Sequence, residues 1–310
     1  MATAAEAEPA APRPSIGPRP AGPWRFGRAP AKVNLGLRVT GRRGDGYHLL
    51  DSLAVFAGAG DCVAVRPVAD GSTETTLSLR GPFAGALAGQ PMGDNLAVRA
   101  AESFRQAFGG PAVDIVLWKH LPVASGIGGG TADAAAVIRL LADMARIAPH
   151  APPLLALALA LGADGPMCLA GRTARVSGVG EALGPAPAMP PLPAVLVNPG
   201  VPISTPDAFR GRTGPFSPIA SLAEAYPDVR SVAAAVEAFG NDLTPAAAAL
   251  APAVADVLDA LNGSAGAACA GMSGSGATCF ALFPDAAAAR QAARTLARPG
   301  WWARATTLNG

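Results

Sequence analysis

The sequence predicts an α+β protein in two parts, and three stretches carry that prediction. Pro30 to Thr40 (PAKVNLGLRVT) alternates apolar with other residues at the period of a strand. Leu121 to Ala136 (LPVASGIGGGTADAAA) runs a glycine-rich loop into an alanine-rich segment with helical periodicity. Gly184 to Pro193 (GPAPAMPPLP) is too rich in proline for regular structure and precedes a second apolar strand, AVLVN. With 310 residues, 50% hydrophobic and 15% charged, the chain is long and apolar enough for two cores, here divided as 23–184 and 185–310.

Residues 1–22 are rich in alanine and proline, carry Glu6 and Glu8, and contain no apolar run of the signal-peptide kind, so they read as a disordered tail. In the first strand, Val33, Leu35, Leu37 and Val39 form one face, and Lys32, Asn34, Gly36 and Arg38 form the less apolar one. A cation and an amide therefore point the same way, either as a catalytic pair or as the solvated face of a half-buried strand. Arginine supplies nearly every cation, for only Lys32 and Lys119 are lysines. A lysine in such a background suits a site needing a compact point charge where the planar guanidinium does not fit. Lys119, before His120 at an apparent strand end, reads as an ordinary surface residue.

The segment GRRGDGYHLLDSL follows, with Tyr47 beside His48. The pair suits a planar heterocycle, stacked by the tyrosine and read at a polar edge by the imidazole, or a tyrosine packed over a hairpin beside a solvated histidine.

In the glycine-rich stretch, the absence of Cβ atoms at 126, 128, 129 and 130 lets backbone N–H groups converge on an anion. The following helix dipole favours the same ligand. A nucleotide phosphate is the functional reading and a structural turn the plain one. Neither the GxxxxGK[ST] nor the GxGxxG pattern is present. Val137, Ile138, Leu141, Met144, Ala145 and Ala148 share one helical face, which Pro149 is expected to end. The apolar run Leu154 to Leu161 is far short of the roughly 20 residues that span a bilayer.

Beyond AVLVN, the alanine-rich stretches Ser231–Glu237 and Pro245–Leu261 read as helices flanking a final strand. That strand lies in Gly271 to Phe283 (GMSGSGATCFALF), where Ser273 and Ser275 sit in a tight bend or a second backbone cradle. The net charge of +2 offers little to a polyanion, so no nucleic-acid partner is expected. Cysteines 62, 168, 269 and 279 form no CxxC pair and read as core residues of a reducing, cytoplasmic compartment.

In their order, PAKVNLGLRV with GDGYH, then LPVASGIGGGTADAAA, then GMSGSGATCFALF, these stretches resemble the GHMP kinases. Within that superfamily, PAKVNL, GDGYH, the triple glycine before TADAA, and LGADGPMC are most similar to the branch acting on a cytidine-diphosphate-linked methylerythritol, in the non-mevalonate route to isopentenyl diphosphate. The similarity runs from about Phe26 to Phe283. The alternative within the superfamily is a homoserine, mevalonate or sugar kinase.

What the resemblance implies is a ribosomal-protein-S5-domain-2-like N-terminal domain and a ferredoxin-like α+β C-terminal domain, with ATP and substrate meeting between them. The implied catalytic residues are Lys32 and Asp164. The implied ATP loop is Pro122, Val123, Ala124, Ser125, Gly126, Ile127, Gly128, Gly129, Gly130, Thr131 and Ala132. Tyr47, His48 and Phe209 correspond to the base-binding aromatics, with Phe209 on the opposite side of the base, and Asn34 and Thr205 to polar substrate contacts. Asp133 competes for the role of base, although an acidic residue in a first helical turn also serves the helix itself. Mg²⁺ is expected to ride on the ATP phosphates. The enzyme is expected to be a monomer or weak homodimer acting on a small molecule, with no membrane partner. Three departures from the pattern carry expectations: Ala132 lacks a phosphate-facing hydroxyl, leaving that contact to Thr131, while Gly165 and Met167 loosen the wall behind Asp164.

Overall fold

The alternating stretch around Lys32 becomes one arm of a long hairpin: β1 (Arg25–Arg42) runs antiparallel to β2 (His48–Pro67) and closes where Arg42 faces His48. This is a computed structural model describing residues 22–68 and 72–309, so the expected tail lies outside the described residues except for Gly22. β1 is not half-buried as expected. Ala31 to Leu37 are buried on both faces, because one side packs in the core and the other closes the floor of a cleft. The pairing slips between Pro30 and Lys32 and again between Asn34 and Gly36. Lys32 and Asn34 thus lie between two bulges, a device that re-aims side chains out of a regular ladder.

Around this hairpin the first sheet adds β3 (Thr76–Arg80), parallel to β4 (Val113–Trp118), with β4 antiparallel to β2. On the other stretch of β2 lies β5 (Ala174–Gly178), followed by β6 (Ala182–Gly184). Four helices cover this sheet: α1 (Leu96–Phe108), α2 (Gly129–Met144), α3 (Pro152–Leu161) and α4 (Gly165–Ala170). They bury Val98, Phe104, Ala135, Ile138, Leu154 and Cys168 against Val63, Val65, Ile115 and Leu117. The helix after the glycines begins inside them, at Gly129. It ends at Met144 rather than at Pro149, since Arg146 takes a left-handed φ of 56° and turns the chain first. The run Leu154–Leu161 is α3, and among the described residues no helix is long and apolar enough to cross a membrane.

The expected AVLVN strand is β7 (Leu192–Asn198), which starts inside the proline-rich break. Pro193 is tolerated there because only its carbonyl is used, accepting from the Phe283 N–H at 2.8 Å. After α5 (Thr205–Gly211) and α6 (Val229–Phe239), the second alanine-rich stretch is two helices, α7 (Thr244–Leu250) and α8 (Ala253–Asn262). Ala251 precedes Pro252 and is forced extended (φ −142°, ψ 91°), which breaks the helix. β8 (Cys269–Met272) and β9 (Cys279–Leu282) flank the serine–glycine bend. The latter is not the last strand, for α9 (Ala286–Leu296) and β10 (Trp302–Leu308) follow. The second sheet runs β10-β7-β9-β8, all antiparallel, and joins the first at a single pair, Leu308 opposite Ala57. A middle core of Val33, Leu35, Val55, Ile127, Leu196, Phe239 and Phe280 binds the two sheets together.

Candidate active site

Where the hairpin meets α2, α4 and α5 there is a cavity of about 1150 Å³, lined by both sheets' loops. Lys32 rises from its floor. Its Nζ lies 3.1 Å from Asp164 Oδ2 and donates to Asn34 Oδ1 at 2.8 Å. Asn34 is itself oriented on both sides: its Nδ2 donates to Ser52 Oγ at 2.7 Å, and its backbone N–H donates to Ser273 Oγ at 3.0 Å. The expectation that Lys32 and Asn34 point the same way is met by direct contact. Asp164 precedes α4 and makes no capping bond to it, so its carboxylate is free to face Lys32 and the cleft. Arg139 ties that helix to the hairpin, donating to the Cys168 carbonyl at 2.6 Å and to the Arg28 carbonyl at 2.9 Å.

Behind Asp164 the wall is tight rather than loosened. A Cβ at Gly165 would overlap the Ala158 carbonyl, so only glycine lets α4 sit this close to α3, and Met167 is fully buried. Ala132 is likewise buried in the helical core, facing away from the cleft, so its lacking a hydroxyl has no bearing on the cavity.

Of the glycine loop, Ala124, Ser125, Gly126, Gly128, Gly129, Gly130 and Thr131 line the cavity. Pro122, Ile127 and Ala132 are buried behind it, and Val123 is half-buried outside the lining. Gly128 caps α2 in a left-handed conformation (φ 64°), leaving the N–H groups of the first turn pointing into the cavity. The serine–glycine bend holds the loop from the other side. Ser273 Oγ donates to the Gly126 carbonyl at 3.2 Å, and the Thr278 N–H donates to the Ser125 carbonyl at 3.1 Å. At Gly126 (φ 75°) a Cβ would overlap the Gly276 and Ser273 carbonyls. Asn241, which no sequence pattern singled out, donates to the Met272 and Gly274 carbonyls and braces the bend.

At the far end of the cavity the aromatics are arranged differently from the expected sandwich. Phe209, on α5, stacks on His48 with ring centroids 5.1 Å apart and planes 17° from parallel. Tyr47 is 65% exposed at the rim. Burial, then the charges of Arg42 and Arg212, hold the His48 imidazolium pKa below its ordinary value. Arg212, unremarked in the sequence, is nearly buried beside His48 and 3.8 Å from Asp242. Thr205 begins α5 and shares a 2.8 Å hydrogen bond with Ser275.

Two sequence expectations are overturned here. Lys119 is no surface residue: it is 2% exposed and lies between Asp61 and Asp133, with Nζ–Oδ2 of 2.7 Å to Asp133. Asp133 is accordingly behind the loop, outside the cavity, and is not placed as a base. Burial pushes its carboxyl up to about 8 although Lys119 pulls the other way. Cys168, Cys269 and Cys279 are core residues, but Cys62 is exposed on β2.

A cleft closed by two sheets, with an acid–lysine pair beside a glycine loop, is the architecture of the GHMP kinases. The models for the GHMP kinases N terminal domain and GHMP kinases C terminal domain match residues 95–172 and 219–300. The 4-diphosphocytidyl-2-C-methyl-D-erythritol kinase of Gluconacetobacter diazotrophicus is 50% identical over 289 residues, 91% of this chain and 94% of that one. The enzyme of the same name from Paramagnetospirillum magneticum is 49% identical over 277 residues, 88% and 95% of the two chains. A crystal structure of 4-(cytidine 5′-diphospho)-2C-methyl-D-erythritol kinase superposes with a TM-score of 0.72 at 38% identity, covering 92% of this chain and all of that one. Homoserine kinase from Cytophaga hutchinsonii shares the fold (TM-score 0.68) at 20% identity. The chain belongs to the 4-diphosphocytidyl-2-C-methyl-D-erythritol kinase family.

Proposed function

We propose that this chain transfers the γ-phosphoryl group of ATP to the tertiary 2-hydroxyl of 4-diphosphocytidyl-2-C-methyl-D-erythritol, giving the 2-phosphate and ADP. The observation that supports this most is a single cavity that has the Lys32–Asp164 pair between a glycine loop at one end and the His48–Phe209 stack at the other. A phosphate donor and a base-bearing acceptor can occupy the two ends with the reacting hydroxyl over the pair.

In this reading the N–H groups of the α2 first turn hold the nucleotide phosphates, where the helix dipole favours negative charge. The 2-hydroxyl oxygen attacks the γ-phosphorus, the bond to the bridging oxygen of ADP breaks, and the hydroxyl proton passes to Asp164. Lys32, fixed by Asn34, offsets charge developing between oxygen and phosphorus. His48, kept neutral by burial and two arginines, retains one donor and one acceptor for the edge of cytosine. Mg²⁺ supplies charge to the phosphates when bound. Among the described residues no three His, Cys, Asp or Glu side chains cluster to hold it, so phosphate oxygens, the Thr131 hydroxyl and Asp164 are the donors that fit.

The setting we propose is the cytoplasm, as a monomer or weak homodimer with no nucleic-acid partner, in keeping with a net charge of +2. The division into 23–184 and 185–310 is part of the same proposal, supported by the gap between β6 and β7. The test is ADP release with Mg²⁺-ATP and this acceptor, with homoserine, mevalonate and galactose alongside. Turnover confined to the cytidine acceptor is the expected result; turnover on one of the other alcohols alone would replace it.

A further inference from the structure

Of 24 lysine and arginine residues only Lys32 and Lys119 are lysines, and both lie at the glycine loop, on opposite sides of it. Lys32 faces the cavity. Lys119 is sealed behind the loop, where its ammonium bonds two carboxylates. Asp61 also accepts from the backbone N–H groups of His120 and Leu121, the residues that lead into the loop. Asp133 lies on α2, which leaves it. One buried cation therefore joins the entrance and the exit of the loop. A Cβ on Gly129 would sit 3.1 Å from Lys119 Nζ, so the ammonium packs against the backbone whose N–H groups face the cavity.

The arrangement is costly as a mere structural tie. Three ionisable side chains are taken out of water, and Asp133 Oδ1 is buried with no hydrogen-bond partner. Apolar side chains of similar volume often hold such a position as well or better. What they cannot supply is a single group that bonds to both ends of the loop. Arginine is no substitute, because its wider planar head does not fit a slot where the lysine side chain is 3% exposed.

We propose that Lys119 is a positioning residue for the nucleotide: held between Asp61 and Asp133, it sets the ends of the loop relative to each other and aims the α2 N–H groups at the phosphates. The inference rests on the reading of residues 122–132 as the ATP loop and adds the buried element that shapes it. An N–H group turned away from a phosphate oxygen forfeits a hydrogen bond to a charged group, worth about 1.5–3 kcal/mol or roughly 10- to 100-fold in affinity. The nucleotide end of the cavity should feel such a change, while the His48–Phe209 end, carried on β2 and α5, should not.

The test is calorimetric titration of the full chain with Mg²⁺-AMPPNP and, separately, with cytidine 5′-diphosphate. The principal variant is Lys119→Met combined with Asp133→Asn, which leaves only Asp61, still held by two backbone N–H groups. Nucleotide affinity should fall about 10- to 100-fold, the size expected for losing one hydrogen bond to a charged phosphate, with cytidine diphosphate affinity within about twofold of wild type. Unchanged AMPPNP affinity, or an equal loss for both ligands, would overturn the proposal. So would loss of the wild-type circular dichroism spectrum, which would make the cluster a determinant of the fold. Gly130→Asp, on the exposed part of the loop, separates the two readings. If it weakens AMPPNP binding while the double variant does not, the ATP loop stands and the positioning role falls. If it leaves AMPPNP binding intact, the loop reading fails, and the proposal with it.

Discussion

Asp164→Asn is the perturbation on which the chemistry turns. The amide is nearly isosteric, and the lost ion pair is modest, since the Asp164 side chain is 38% exposed and Lys32 keeps Asn34 as an acceptor at 2.8 Å. Half-exposed pairs of this kind contribute about 0–1 kcal/mol, so the midpoint of thermal unfolding should move by only a few degrees. The catalytic loss is of another size. Removing a positioned proton acceptor costs roughly 100- to 10,000-fold in kcat, about 3–5 kcal/mol of barrier, while the glycine loop is untouched. The assay is single-turnover phosphoryl transfer at saturating substrates, paired with titration of Mg²⁺-AMPPNP. A variant whose kcat stays within tenfold of wild type would remove Asp164 from the role of base. One that loses nucleotide affinity in proportion would show that it serves binding instead.

Other consequences follow from the same geometry. His48→Phe keeps the stack on Phe209 but loses both ring nitrogens, so KM for the cytidine acceptor should rise about tenfold with KM for ATP unchanged, as read from initial rates. Because the His48 pKa lies below its ordinary value, acceptor affinity in the wild type should hold as pH falls from 7.5 to 6.5 and decline only below that; a decline already complete at pH 6.5 would contradict the assignment. Asp133 binds its proton more tightly folded, at about 8, than at its ordinary 3.8. Its contribution is therefore largest at low pH and is lost as pH rises through that window, on the order of 2 kcal/mol between pH 6 and 8. Urea unfolding at both pH values should show a smaller loss for Asp133→Asn, which mimics the protonated form. Gly165→Val should drive α4 off α3, costing about 1–3 kcal/mol in unfolding and lowering kcat more than it raises KM for ATP.

Local pattern revealed much of this arrangement. The period of two in Val33, Leu35, Leu37 and Val39 marks β1, and the same period puts Lys32 and Asn34 side by side, as their 2.8 Å contact bears out. The run of glycines before an apolar face marks the start of α2. The residues that were misread depend on distant partners. Lys119 is buried because Asp61, 58 positions away, and Asp133, on another element, neutralise it; nothing adjacent to WKHLP signals that. Gly165 is required by a carbonyl on α3, a contact that composition does not encode. The burial of both β1 faces comes from the second sheet covering what one strand alone would leave to solvent. The reading of Pro245–Leu261 as helix passed over the break that Pro252 makes between α7 and α8, and took β9 as the final strand although Asp285 caps a further helix, α9, through the Ala287 and Ala288 N–H groups.

The phosphorus spectrum of the product tests the central claim most directly. Phosphorylation at the 2-hydroxyl places the new ester on a carbon that bears no hydrogen, so its ³¹P resonance should be a singlet without proton decoupling, alongside the two diphosphate signals. A triplet would put the phosphate on a CH₂ oxygen and a doublet on a CH oxygen. Either would contradict a cleft that presents the tertiary hydroxyl to Asp164 and Lys32.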